Sequence, residues 1–100
     1  MTFNAFSLDI PTPGTQLQFS SATGAPHNDA RVKLIRVQGN AVNTAAVYFG
    51  DSNVGTGRGW RLNPGQDVVL EFGEGAVPFS VFWGDADVSG DDLNVVVITT

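Results

Sequence analysis

The chain has 100 residues, of which 42% are hydrophobic and 15% are charged, and its formal net charge is −5. This length suits one domain with one core, and the hydrophobic content is too high for a disordered chain. An acidic chain is a poor candidate for binding nucleic acid, because neutralising phosphates requires clustered Lys and Arg. The sequence has no cysteine, which excludes disulfides and thiolate metal sites, and it shows neither a transmembrane run nor a signal peptide.

The N-terminal segment, residues 1–14, is predicted to be either a first strand or an arm that lies on a neighbouring subunit. Its apolar side chains, among them Phe3, Phe6 and Leu8, precede a breaker made of two prolines and a glycine. As an arm, the segment would contact a partner through these three side chains. Deleting residues 2–10 would then abolish partner binding and leave the domain folded.

The rest of the chain, residues 15–100, is predicted to form one domain of short strands. Its apolar runs either alternate with polar side chains or are continuous, and turn residues separate them. The predicted strands are residues 15–20, 31–37, 45–49, 60–62, 66–72, 78–83 and 93–98. In the sixth of these, Phe79, Val81 and Trp83 share one face. Turns lie between the strands, for example at residues 73–75.

These elements predict the fold class. No window shows an apolar period of 3.6 residues, and the 12 glycines and five prolines disfavour helices. Seven to eight short strands with turn signals between them indicate an all-β antiparallel sandwich, and the spacing suits a jelly roll.

The stretch from residue 46 to residue 72 carries most of the information on function. A strand ends in Tyr-Phe-Gly-Asp-Ser, a glycine-rich loop follows, and Leu-Asn-Pro-Gly leads into another apolar strand. This order resembles small virion structural proteins of tailed bacteriophages, and the similarity covers residues 31–98. The matching positions are Arg31 to Val37, Asn40 or Asn43, Val47 to Ser52, Val54, Gly59, Leu62, Pro64, Gly65 and Val68 to Leu70.

Proteins with this pattern sit on capsids as decoration or cement subunits, or form parts of fibres and tails. The resemblance therefore implies a capsid decoration protein that binds the major capsid protein and stabilises the outer head shell non-covalently. It also implies a homo-oligomer, with a trimer favoured, that is made in the host cytoplasm and ends in the virion. The alternatives are a tail, neck or fibre component and, in a different class, a carbohydrate-binding module.

A second group of predicted partner contacts lies in the glycine-rich loop and the short strand after it. Arg58, Trp60 and Arg61 stand close together there. Arginine and tryptophan are enriched at interface hot spots, so these three side chains are predicted to bind the partner. Trp60 is also the residue that would stack on a sugar in the carbohydrate-binding alternative.

The sharpest chemical motif is acidic and spans residues 84–92. Asp85 and Asp87 alternate with other residues ahead of a glycine, as in the first half of a calcium loop. The second half departs from that pattern, because Val96 stands where a bidentate Glu is required. If calcium binds, Asp85, Asp87 and Asp91 are the predicted ligands. The simpler alternative is a solvated acidic loop with no cofactor.

No group of residues indicates catalysis. His27 is the only histidine and lies among loop-forming residues. The run Gly55–Gly59 superficially resembles a phosphate-binding loop, but it lacks the Lys-Ser or Lys-Thr pair and the following helix that give such loops their function. The chain is therefore predicted not to be an enzyme.

Overall fold

A computed structural model describes residues 2–73 and 77–100, and within them the chain forms nine β-strands. Their bounds are β1 (Thr2–Asp9), β2 (Leu17–Gln18), β3 (Arg31–Gly39), β4 (Val47–Gly50), β5 (Trp60–Leu62), β6 (Asp67–Glu71), β7 (Val77–Pro78), β8 (Trp83–Ala86) and β9 (Asp92–Thr99). No helix in these two ranges is long and apolar enough to cross a lipid bilayer. The turn predicted at residues 73–75 lies, beyond its first glycine, outside the described residues.

All strands pair antiparallel, in two sheets. Sheet A has the order β1-β9-β3-β6, with the short β7 also paired to β3, and sheet B has the order β2-β8-β4-β5. Apart from β7, the pairs β1·β9, β2·β8, β3·β6 and β4·β5 are those of one long hairpin. This hairpin is wrapped over so that β3 also pairs with β9, and β4 with β8. The order is that of a jelly roll, and the predicted all-β antiparallel sandwich is confirmed.

The core lies between the two sheets and is rich in phenylalanine. Phe6, Phe19 and Phe79 contact one another with ring centroids 5.9 to 6.4 Å apart, and Phe82 stacks on Phe19 at 6.1 Å. Aliphatic side chains from β1, β3, β4 and β9 surround these rings. Each fully buried side chain of this size stabilises the fold by about 1.5–3 kcal/mol relative to an exposed one.

The N-terminal segment is a strand and not an arm. All eight residues of β1 pair with β9 in one unbroken register. The strand is therefore part of sheet A, and every second side chain enters the core. The deletion of residues 2–10 was expected to leave the domain folded only if this segment were an arm. Because the segment is a paired strand of sheet A, that expectation is wrong.

Two predicted strands are shorter than expected. Those at residues 15–20 and 78–83 each consist of a two-residue strand followed by a 3₁₀ turn. In the second, the alternation predicted Phe79 and Val81 on one face, but Phe79 is fully buried and Val81 is 40% exposed. The turn instead directs Phe79 and Phe82, three residues apart, into the core. A period of two cannot place both rings there.

Candidate functional site

The outer face of sheet B is covered by the protein's own loops. Ala46 and Tyr48 point outward near and within β4, and Val54 from the following loop packs on them together with Trp83 of β8. As a result Tyr48 is only 4% exposed and Val54 only 3%. This side of the molecule has a second, smaller core.

Two of the predicted calcium ligands help to hold that cover in place. Asp85 is fully buried in β8, and its Oδ1 accepts a hydrogen bond of 3.0 Å from the backbone N–H of Gly14. Its Oδ2 has no partner within the described residues. Asp87 lies in the next loop, where its Oδ2 accepts a hydrogen bond of 2.9 Å from the hydroxyl of Tyr48. The two carboxylates therefore bind different segments.

The third predicted ligand, Asp91, holds the loop that precedes β4. Its two carboxylate oxygens accept hydrogen bonds from the backbone N–H groups of Thr44 and Ala45, both at 2.9 Å. In the part of the chain that the structure describes, no three His, Asp or Glu side chains are grouped so that they could hold a metal ion. The prediction of a calcium site at Asp85, Asp87 and Asp91 is thus not supported, because three separate hydrogen-bonding roles explain the carboxylates.

Two ionisable side chains close to these loops have raised pKa values. Burial raises the pKa of the Tyr48 phenol, and its hydrogen bond to Asp87 adds to the effect. Burial also raises the pKa of Asp92, and the carboxylate of Asp9, directly opposite in the β1–β9 register, disfavours its charge further. Both shifts arise first from burial, which disfavours the charged form of each group.

Of the three N-terminal side chains predicted to contact a partner, only Phe3 is accessible. Phe6 is 8% exposed and Leu8 is 2% exposed, because the alternation along β1 turns both into the core. Their assignment as partner contacts is therefore wrong. Phe3 points to the opposite face of sheet A and is 66% exposed.

The other predicted contact group, Arg58, Trp60 and Arg61, is divided between two faces. Trp60 stacks on the core residue Phe49 with ring centroids 6.0 Å apart, so it lies on the inner side of sheet B. Arg61 follows it in β5 and therefore points to the outer side, where it stands opposite Tyr48. Arg58 is exposed in the tight turn that precedes β5. Trp60 and Arg61 do not share one contact surface.

Trp60 lines a cleft at the open side of the sandwich, between β5 of sheet B and β6 of sheet A. The cleft has a volume of about 510 Å³. Its lining is mainly apolar and comprises Phe49, Trp60, Leu70, Phe72, Val77, Val81 and Phe82, with Gly50, Asp51 and Gly59. Trp60 is 51% exposed there. A volume of this size is typical of sites that take a small molecule.

The sequence did not predict the most unusual surface, which is the outer face of sheet A. The cross-strand register aligns outward side chains in rows across the sheet. From one end, these rows are Phe3, Ile98, Leu34 and Glu71; then Ala5, Val96, Arg36 and Val69; then Ser7, Asn94, Gln38 and Asp67; and last Asp9 and Asp92. The first two rows are therefore mainly apolar, with Glu71 at the β6 edge, and the last two are polar or acidic. The continuous apolar run in residues 95–98 is the sequence signal for it.

The remaining candidates do not form a site. His27 is exposed in the loop before β3. The glycine-rich run at residues 55–59 folds into a tight turn closed by two backbone hydrogen bonds between Gly55 and Arg58. It leads into strand β5 and not into a helix, so the N–H groups of a helix end are not available to a phosphate.

Comparisons of this chain with protein-family models, with curated proteins and with solved structures find no match. Its function has to be inferred from the surfaces described above.

Proposed function

We propose that this protein is a structural component of a tailed-bacteriophage virion, and specifically a capsid decoration protein that binds the outer head shell non-covalently. It acts by binding the major capsid protein and not by catalysis. The observation that supports this most is the apolar end of the outer face of sheet A, where Phe3, Ile98 and Leu34 stand side by side. An antiparallel sheet with one solvated face ordinarily carries polar side chains there, so an apolar row favours contact with another protein.

The sequence resemblance over residues 31–98 is the second support. Several of the residues on which the resemblance depends have structural roles in turns. Asp51 Oδ1 accepts a hydrogen bond of 2.9 Å from the N–H of Asn53, which closes the turn after β4. Gly65 has a φ of 85°, which suits glycine, in the turn that joins β5 to β6. The motif therefore describes a scaffold, and jelly rolls of this kind occur in viral capsid proteins and in lectins.

Decoration requires only modest contacts from each subunit. A capsid repeats the same site many times, and linked subunits that engage several sites together gain affinity without new contacts. A chain with only 15% charged residues suits such a role, because a surface that meets partners needs fewer charges than a free one. The trimer implied by the resemblance stays a prediction.

The test is to add the purified protein to phage heads that lack it and to image them by cryo-electron microscopy. We expect regular density at the local symmetry axes of the shell. A double variant with Leu34→Ser and Val69→Ser, both on the outer face of sheet A, should leave the shell bare. The control is Val42→Ser, because Val42 is 86% exposed in the loop between β3 and β4 and belongs to none of the outward rows of sheet A. Bare shells with the unmodified protein would contradict the proposal.

The same mixture of purified protein and phage particles distinguishes decoration from one alternative function, and a glycan array distinguishes it from another. A tail, neck or fibre component would bind a phage partner at low copy number, so density would be confined to one vertex or to the tail. A carbohydrate-binding module is favoured only by the cleft, where Trp60 is 51% exposed and the carboxylate of Asp51 lies nearby. Binding on a glycan array that is lost with Trp60→Ala and retained with Phe3→Ser would support that function over decoration.

A further inference from the structure

The outermost strand of sheet A has a free edge with unpaired backbone groups. Just beyond β1, Ile10 directs both of its groups towards the β9 side, where its N–H donates to Asp91 O at 3.2 Å and its C=O accepts from Gly90 N at 2.9 Å. The direction of hydrogen bonding alternates along an antiparallel strand. The backbone N–H and C=O groups of the even-numbered residues of β1 therefore bond to β9. The same groups of residues 3, 5, 7 and 9 point to the free edge. Within the described residues, no backbone hydrogen bond reaches these four.

This edge has few of the features that protect edge strands in natural proteins. It is eight residues long, it contains neither proline nor lysine, and its register with β9 has no bulge. Its one charge, at Asp9, lies at the end. The loop at Gly24 lies beside the middle of β1: the inward-pointing Asn4 donates from Nδ2 to Gly24 O at 3.2 Å, and a Cβ built on Gly24 would stand 3.9 Å from both Phe6 Cβ and Ala5 O, to which the loop makes no hydrogen bond. An edge of this kind binds an extended strand.

We infer that the strand it binds is β1 of a second copy of this chain, running antiparallel about a two-fold axis at Ala5. The side chains on the outer face are self-complementary in that register. Ala5 of one copy faces Ala5 of the second copy, and Phe3 of each copy faces Ser7 of the other. Small side chains thus lie at the centre. The two Asp9 carboxylates lie at opposite ends, roughly 26 Å apart at ~3.3 Å per residue, which exceeds the screening length of about 8 Å.

The outer faces of the two copies also fit each other. Phe3 is a 66% exposed aromatic side chain, and a hollow of about 340 Å³ lies on the same face. The hollow is lined by Ala5, Phe6, Ser7, Arg36, Gln38, Asn94, Val95 and Val96. In the antiparallel pair, Phe3 of each copy stands beside Ser7 of the other, at the hollow. The contact occurs twice, as an isologous interface requires, and the paired sheets become one sheet of eight main strands. The pairing does not depend on a capsid.

The experiment is light scattering coupled to size-exclusion chromatography over a range of concentrations, with untagged protein. The monomer mass is 10.5 kDa, and we expect the mass to approach twice that value as the concentration rises. Ala5→Pro should remain a monomer. A proline there removes an N–H that points away from β9, so the strand's own pairing is kept. The control is Ala5→Val, which retains the N–H and should still pair.

A second variant keeps the test decisive if Ala5→Pro does not fold, which circular dichroism would reveal. Phe3→Ser leaves the backbone edge intact and removes the aromatic contact, and we expect it to weaken association about tenfold or more. A monomer at every concentration would overturn the inference. So would a dimer that neither variant affects, or a mass of three copies that Ala5→Pro leaves unchanged.

Discussion

The two outer faces of this jelly roll are built in opposite ways. On sheet B, loops fold back over the strands and bury Tyr48 and Asp85, and the Asp85 carboxylate accepts a backbone hydrogen bond from the loop at Gly14. On sheet A no loop covers the outward row, in which Phe3 is 66% exposed and Ile98 and Leu34 are half-buried. The difference indicates that sheet B satisfies its outer face within the chain, and that sheet A leaves its outer face for a partner.

The difference also separates two uses of charge. At the loop that leads into β4, the buried Asp91 has both carboxylate oxygens occupied by backbone N–H groups. At the uncovered face, the ion pair between Arg36 Nε and Asp67 Oδ2 is 2.6 Å long, but its side chains are 50% and 39% exposed. Hydrogen bonds to a buried carboxylate stabilise a fold more than an exposed ion pair does. Substitutions at buried and exposed positions should therefore differ in how far they lower the free energy of unfolding.

The largest loss of stability is expected from removing β1. Its inward side chains are part of the core, although its outward side chains are uncovered. Deletion of residues 2–9 should abolish cooperative folding, because it removes Phe6 and Leu8 from the core and exposes the whole edge of β9. Thermal unfolding followed by circular dichroism measures this. A shortened chain that still unfolds cooperatively near the temperature of the full chain would show that β1 is an accessory arm after all.

The next effect compares a buried carboxylate, Asp91, with an exposed one, Asp67. Asp91→Ala should lower the free energy of unfolding by about 2–4 kcal/mol, because two backbone N–H groups lose a charged acceptor. Asp67→Ala, which removes only the exposed ion pair, should cost less than about 1 kcal/mol. Urea denaturation of both variants provides the measurement. Equal losses would mean that the loop before β4 is not held by Asp91.

A smaller effect comes from the same isosteric change on the two faces. Val54→Thr buries a hydroxyl in the small core over sheet B and should cost about 1–2 kcal/mol. Val69→Thr, at a residue that is 49% exposed on sheet A, should change the free energy of unfolding by less than about 0.5 kcal/mol. The comparison fails if Val69→Thr is the more destabilising of the two.

The smallest effect depends on pH and concerns Asp92. Its pKa is raised in the folded state, so its contribution to stability is fully present below the usual value of 3.8 and is lost as the pH rises through the raised pKa. Asp92→Asn should therefore be more stable than the parent at pH 7, by about 0.5 kcal/mol for a like-charge cross-strand pair. The gain should disappear below pH 3.8. A gain that is the same at both pH values would exclude the charge of Asp92 as its cause.

Much of the fold could be predicted from the sequence, because local patterns determine it. The lack of a helical period and the regular turn residues indicated a sandwich, and the strand predicted at residues 60–62 has those bounds. The 3₁₀ turns could not be predicted, since they depend on a non-local hydrogen bond of 2.9 Å from Phe19 N to Phe82 O. Nor does the sequence of β1 reveal that its partner is the last strand of the chain.

The functional residues were harder to predict for a related reason. Alternating carboxylates look the same whether they bind a metal or backbone N–H groups. The groups that Asp85 and Asp91 bind lie at Gly14, Thr44 and Ala45, far away in the sequence. The contact role of Phe3 stays a prediction, and of the two alternatives for its segment, a strand or an arm, the structure shows the strand.

The most direct test of the difference between the two faces is a dilution series of the isotope-labelled protein, followed by two-dimensional NMR. We predict that, from millimolar to micromolar concentration, amide shifts change at Phe3, Ala5 and Ser7 and at the neighbouring outward residues of β9. Amides of the loops over sheet B, such as those of Val54 and Gly14, should stay fixed. Changes confined to the loops over sheet B or to the cleft at Trp60, or no changes at all, would contradict the account.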